Sequence, residues 1–248
     1  VGGAGNDLLT GGGGNDLLDG GAGEDTIFDG QGTTGTIQGG DGNDTIFVAY
    51  QTGGTIDGGT GRDTFRVSNG NLLQLSLTGI EVLETGFGTV TGTAGQFDDV
   101  ETILTLNQAG YEMTGVTLHV TSGSADLSEE LGARAVTLTT GAGGATITAG
   151  SGNDTMTGGE GADSLDGGTG NDRLFGGFGG DVLVGSGGAD TAEGGAGSDI
   201  LFGGAGADVL RGGERNDTID GDGDDDMIEG GSGNDVIDGG SGNDAIQG

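Results

Sequence analysis

Residues 230–247 read GGSGNDVIDGGSGNDAIQ, two nearly identical nine-residue units laid end to end. Followed back toward the N-terminus, the unit runs without slippage from Ala149, with first positions at Gly158, Gly167, Gly176, Gly185, Gly194, Gly203, Gly212, Gly221, Gly230 and Gly239. Position six is always aspartate: Asp154, Asp163, Asp172, Asp181, Asp190, Asp199, Asp208, Asp217, Asp226, Asp235 and Asp244. Position eight is always apolar: Met156, Leu165, Leu174, Leu183, Ala192, Leu201, Leu210, Ile219, Ile228, Ile237 and Ile246. Glycine-rich chains are often disordered, but a disordered solvating tract has no reason to hold two such registers together.

Residue type supplies a physical reading of the unit. Glycines at positions one, two and four let the backbone turn through positive φ and present its carbonyls inward. Position six then adds a carboxylate. Positions seven to nine, such as Thr218, Ile219 and Asp220, form a very short strand whose central side chain points inward. The 31% hydrophobic and 4% aromatic content, with 66 glycines and no proline or cysteine, allows only a narrow core. Against 40 acidic residues stand 6 basic ones, all arginine, for a formal charge of -34. Nucleic acid is repelled by such a chain. Crowded carboxylates destabilise a folded body unless cations neutralise them. With no thiolate present, the neutraliser is a hard cation held by oxygen. No apolar run reaches the length of a membrane span, and no basic segment leads into an apolar stretch, so membrane insertion is not expected.

The unit resembles the GGxGxDxUx nonapeptide of the RTX, or hemolysin-type calcium-binding, family. The resemblance implies an all-β fold, a right-handed parallel β-roll (a solenoid) in which two nonapeptides complete one turn and Ca2+ ions stack between loops on the same edge. On that basis every position-six aspartate of 149–248 is a calcium ligand, with Asp154 sharing an ion with Asp172 and Asp172 with Asp190, while Asp163, Asp181 and Asp199 begin the opposite edge. The resemblance extends in part to residues 2–66, where Asp7, Asp16, Asp25, Asp44 and Asp63 are the corresponding ligands and Leu9, Leu18, Ile27, Ile46 and Phe65 point inward. Two degenerate units, 30–38 and 49–57, keep inward Ile37 and Ile56 but carry Gly35 and Gly54 in place of aspartate. The single extra residues Asp29 and Val48 set Asp25, Asp44 and Asp63 19 residues apart instead of 18. One edge (Asp7, Asp25, Asp44, Asp63) is therefore expected to stay metallated, and the other to lose its ions after Asp16.

Three regions follow: a partly degenerate roll over 1–66, a calcium-free β-rich spacer over 67–140, and a regular roll over 141–248. In the spacer the nonapeptide gives way to period-two stretches at 73–77, 102–106, 116–120 and 135–139. Apolar strands keep a spacing suited to a wider continuation of the same solenoid, against the alternative of an inserted β-sandwich.

Other motifs yield to the repeat. His119, the one histidine, alternates with apolar Val116, Leu118 and Val120 and is expected to face solvent, with no nucleophile or orienting carboxylate beside it. The run 220–226 starts like an EF-hand loop, but Asp225 and Gly231 stand where that loop needs Gly and Glu. Asp222, Asp224 and Arg215 occupy positions that are normally glycine, where they add a ligand or strain the loop. Chance GxGxxG matches lack a Walker lysine. No catalytic centre is expected.

The resemblance implies a calcium-binding structural and secretion module of an exported bacterial protein, slack where calcium is scarce, exported by type I secretion and folding outside the cell as ions load. A surface adhesin or layer component fits the long interrupted array, with surface proteins or glycans as further partners. The alternatives are the C-terminal part of a secreted protease or lipase, marked by an HExxH or GxSxG motif upstream, and a polysaccharide-binding module like those of alginate epimerases. The chain stops at Gly248 while starting another repeat, so it is expected to be an excerpt of a longer protein, its C-terminal secretion signal out of view.

Overall fold

The structure, a computed structural model, describes residues 1–31, 35–50, 53–67, 70–71, 75–85, 89–92, 102–105, 117–120, 123–128, 133 and 135–248. These fall into two compact units, Val1–Val116 and Thr117–Gly248. Both are all-β, and both are parallel solenoids in which each strand pairs with the strand one turn away.

In the C-terminal unit one sheet runs in order through Thr137–Thr140, Thr155–Glu160, Arg173–Phe178, Thr191–Ala196, Val209–Glu214, Met227–Ser232 and Ala245–Gln247. The other runs through Ala145–Thr148, Ser164–Asp166, Val182–Gly187, Ile200–Ala205, Thr218–Gly223 and Val236–Asp238. Consecutive nonapeptides therefore alternate between sheets, and two complete a turn. The inward residues stack in register: Met156 on Leu174, Ala192, Leu210 and Ile228 in one sheet, and Leu165 on Leu183, Leu201 and Ile219 in the other. All of these are at most 1% exposed. Ile237 is half-buried and Ile246 exposed, since no further described turn covers them.

Two features differ from the sequence reading. Most strands span six residues, not three, because the ladder resumes beyond position nine, as in Gly177 paired with Gly195 and Phe178 with Ala196. Positive φ belongs to positions two and four, as at Gly195 (103°) and Gly197 (158°), and not to position one. The left-handed slots are filled by non-glycine residues at Ser186 (72°), Arg215 (81°), Asp222 (67°) and Asp224 (74°). Each side chain there strains the backbone by about 1–2 kcal/mol.

The N-terminal unit has one sheet in the order Gly3–Ala4, Leu17–Ala22, Gly35–Asp41, Gly54–Thr60, Leu75–Thr78. Its second sheet runs Leu8–Thr10, Thr26–Gln31, Thr45–Tyr50, Thr64–Val67, Val82–Thr85, Thr102–Thr105. Leu17 pairs with Thr36 and Gly35 with Gly54, so Asp16, Gly35 and Gly54 lie in one column. The extra residues Asp29 and Val48 pair with each other and are buried, so the lengthened turns stay in register. On the outer face, the ring of Phe28 stacks on that of Phe47 at 4.5 Å, Arg66 lies 4.8 Å over the Phe47 ring, and Arg66 pairs with Glu84. This ladder of outward side chains clips four successive turns.

Strands from 67–140 pair in parallel within their own units. Leu75–Thr78 lies on Gly54–Thr60 and Val82–Thr85 on Thr64–Val67, while Thr117–Val120 lies on Thr137–Thr140. Of the predicted period-two stretches, Leu73, Gln74, Leu106 and Val116 fall outside the described residues. Leu118 and Val120 are buried, and His119 between them is half-buried with its Nδ1 2.7 Å from the Thr139 hydroxyl. Among the described residues no helix is long and apolar enough to cross a membrane.

Candidate metal centres

Each position-six aspartate sits where its strand begins, and from Asp154 to Asp226 its backbone N–H and carbonyl are both bonded to the following turn. The Asp190 carbonyl accepts from Val209 N at 2.9 Å, and the Asp190 N–H donates to Asp208 Oδ1 at 2.7 Å. The second bond recurs along both columns: Asp154 N–H to Asp172 Oδ1, Asp163 to Asp181, Asp172 to Asp190, Asp181 to Asp199, Asp199 to Asp217, Asp208 to Asp226, Asp217 to Asp235 and Asp226 to Asp244. The N-terminal unit repeats it from Asp7 to Asp25, Asp25 to Asp44 and Asp44 to Asp63. At position five the direction reverses, as where Asn171 N–H donates to Asn153 Oδ1. Side-chain bonds thus sew each turn to both of its neighbours.

One carboxylate oxygen is used in this way, and the other is not. Oδ2 is buried without a hydrogen-bond partner in all of the predicted ligands except Asp235 and Asp244, which lie in the outermost described turn. Buried polar atoms are nearly always partnered, so a periodic row of orphans marks a missing partner. Except at Asp154, whose unit has Ala149 at position one, each Oδ2 faces a notch beneath the position-one glycine. A Cβ placed on Gly203 would lie 2.5 Å from Asp208 Oδ2 and 2.8 Å from the Gly221 carbonyl oxygen of the next turn. On Gly194 it would lie 2.5 Å from Asp199 Oδ2 and 2.7 Å from the Gly212 carbonyl oxygen. Position one is glycine to keep this oxygen-lined space open. Gly203→Ala is accordingly expected to cost about 1–3 kcal/mol in urea unfolding at saturating Ca2+, as overfilled sites do; an unchanged midpoint would refute the reading of the notch.

The donors are hard oxygens from two successive turns, which suits Ca2+. Among the described residues no three His, Cys, Asp or Glu side chains converge. An ion here would be held by carboxylates together with backbone carbonyls, Asp208 Oδ2 and the Gly221 carbonyl being one such pair. The Asp16 column differs: the notch at Gly11 has Asp16 Oδ2 and the Asp29 side-chain Oδ1 each 2.7 Å from a Cβ position. Asp29, which counted in the sequence only as an extra residue, supplies the oxygen that a glycine carbonyl supplies elsewhere. At the start of the C-terminal columns, Val136 N–H and Ala145 N–H donate to Asp154 and Asp163, and the Thr140 hydroxyl bonds the Gly158 carbonyl oxygen.

Burial has an electrostatic consequence. It pushes the Asp190 carboxyl up to about 7, with the hydrogen bond from Asp172 N–H opposing and the charges of Asp172 and Asp208 adding. Burial likewise lifts Asp63, Asp172, Asp199 and Asp208 to about 6, and raises Asp44, Asp154, Asp163, Asp181, Asp217 and Asp226. These groups resist ionisation without a counter-charge.

Compared with known proteins, the chain matches the family profile of the RTX calcium-binding nonapeptide repeat over residues 1–27, 29–48, 139–174, 175–210 and 211–246, more than half its length. No curated protein matches it.

Proposed function

The chain belongs to the RTX calcium-binding nonapeptide repeat family, and from that premise we propose that the aspartates Asp7, Asp16, Asp25, Asp44, Asp63, Asp154, Asp163, Asp172, Asp181, Asp190, Asp199, Asp208, Asp217, Asp226, Asp235 and Asp244 hold Ca2+ between turns, and that loading those ions is what folds the chain. A calcium-binding repeat module is the coarse function. The finer role is a structural and secretion module of an exported protein: slack in the low calcium of a cytosol, folded in the millimolar calcium outside.

The observation that carries this is the row of buried Oδ2 atoms without partners, facing notches lined by carbonyl oxygen. The bound ion would supply positive charge between carboxylates and a bridge between turns; the chain's own residues supply the donors, and the hydrogen bond to Oδ1 fixes each carboxylate so that Oδ2 faces the notch. The described strands of 67–140 are read as extending the roll within each unit without nonapeptides, since they stack there in parallel.

Isothermal titration of the metal-free chain tests the proposal. Several Ca2+ should bind per chain, and Asp190→Asn should lower the affinity or the number bound. An absence of calcium heat, or an Asp190→Asn titration identical to that of the parent, would refute the assignment.

A further inference from the structure

The column Asp7, Asp25, Asp44, Asp63 continues past the last nonapeptide. Asp63 N–H donates to Glu81 Oε2 at 2.7 Å across 18 residues, the same bond that Asp44 N–H makes to Asp63 Oδ1. Glu81 is half-buried and directly precedes the strand Val82–Thr85, which pairs in register with Thr64–Val67. The notch is also present. A Cβ on Gly58 would lie 2.8 Å from Asp63 Oδ2 and would collide with the Gly79 carbonyl oxygen, so Gly79 stands where a position-one glycine of the next turn stands elsewhere. Asp63 is 0% exposed, and its Oδ2 has no hydrogen-bond partner. Gly79 holds φ at +58°, which aims a backbone of quite different sequence into the same task. None of Gly58, Asp63, Gly79 and Glu81 lies in a stretch matched by the family profile.

We propose that Asp63, the Gly79 carbonyl and Glu81 form a further Ca2+ site that closes this column, with glutamate taking the part that aspartate plays within the repeats. The inference rests on calcium loading of the columns in general. It extends metal binding into a segment, LTGIEV at 77–82, that carries no nonapeptide. Through this site, calcium would order the first turn beyond the repeats and so couple ion loading to the 67–140 stretch.

Hydrogen exchange read by mass spectrometry on the full chain, across a calcium titration, tests the site. Glu81→Gln keeps an acceptor for Asp63 N–H and removes the charge; Glu84→Gln, which removes an equal charge from the outward pair with Arg66, is the control. The expected result is a calcium midpoint for protection of residues 75–85 raised at least about tenfold in E81Q, the scale on which metal sites respond to loss of a supporting group. E84Q and the reference residues 182–214 should keep the parent midpoint. An E81Q midpoint equal to the parent's, or an equal shift in E84Q, overturns the site while leaving calcium loading intact. Loss of protection in E81Q that persists at saturating Ca2+ would make Glu81 a framework residue and also overturn it. No calcium-dependent protection in 182–214 of the parent would bring down the underlying reading as well.

Discussion

Moved from millimolar Ca2+ into calcium-free buffer at pH 8, the protein is expected to lose most of its β-sheet circular dichroism and to regain it on titration with a midpoint of about 0.1–1 mM, the range of extracellular calcium modules. The magnitude follows from the count of buried charges. Asp154, Asp172, Asp181, Asp190, Asp199, Asp208 and Asp217 are each at most 1% exposed, and an uncompensated buried charge costs on the order of several kcal/mol. A folded domain has only about 5–15 kcal/mol to lose. Seven such groups in one unit exceed that margin, whereas ions bound only to the folded stack restore it by mass action. Mg2+ at equal concentration should restore little, because it demands a tighter octahedral shell and gives up its water reluctantly. A β spectrum identical with and without calcium would refute the coupling of folding to ion loading.

Acidification should act in opposite directions on the two forms. Asp190 in the fold titrates near 7 and Asp63, Asp172, Asp199 and Asp208 near 6, all raised from 3.8 chiefly by burial. A raised folded value means that the folded state binds the proton more tightly than the coil does. The stabilisation is complete below about pH 4 and is lost as pH rises through 6 and 7. Metal-free protein dialysed to pH 5 should therefore recover β structure that it lacks at pH 8, the proton standing in for the cation. The calcium-loaded protein should show a midpoint that rises as pH falls through 7 and 6, since each ion must then displace protons. Circular dichroism at pH 5 and 8, with sedimentation velocity to separate folding from association, reads both effects. A metal-free chain equally unfolded at both values would refute this account of the buried carboxylates.

The period of the repeat made much of this legible. The inward row from Met156 to Ile228 and the strict recurrence of aspartate follow from spacing, whereas the alternation of sheets every nine residues and the stacking of aspartates two units apart are what the resemblance to the RTX repeat implies. The division of labour within each carboxylate was not legible, since nothing in residue type says that Oδ1 meets the amide one turn back. Nor was the reason for glycine at position one: the same residue answers a need for positive φ at Gly195 and a need for empty space at Gly194. Glu81 carries no motif mark in the sequence, because it lies beyond the nonapeptides and is a glutamate where the motif has aspartate. Its interval of 18 from Asp63 was the available signal. Asp29 was counted for its effect on turn length, and its side chain turned out to line the Asp16 notch.

In the N-terminal unit, columns of unlike content give the chain a parity. Asp7, Asp25, Asp44 and Asp63 occupy the even face of the roll, so to speak, and Asp16, Gly35 and Gly54 the odd. Excising residues 11–19, a single unit, would seat Asp7 above Gly35 and leave Asp25 at the head of its file, mismatching donors and acceptors at the splice. Excising two adjacent units would leave every remaining residue on its own file. Insertions and deletions in this unit can therefore be inherited in pairs of repeats but not singly, whereas the C-terminal array, with aspartate at position six on both files, keeps its ligand columns under either.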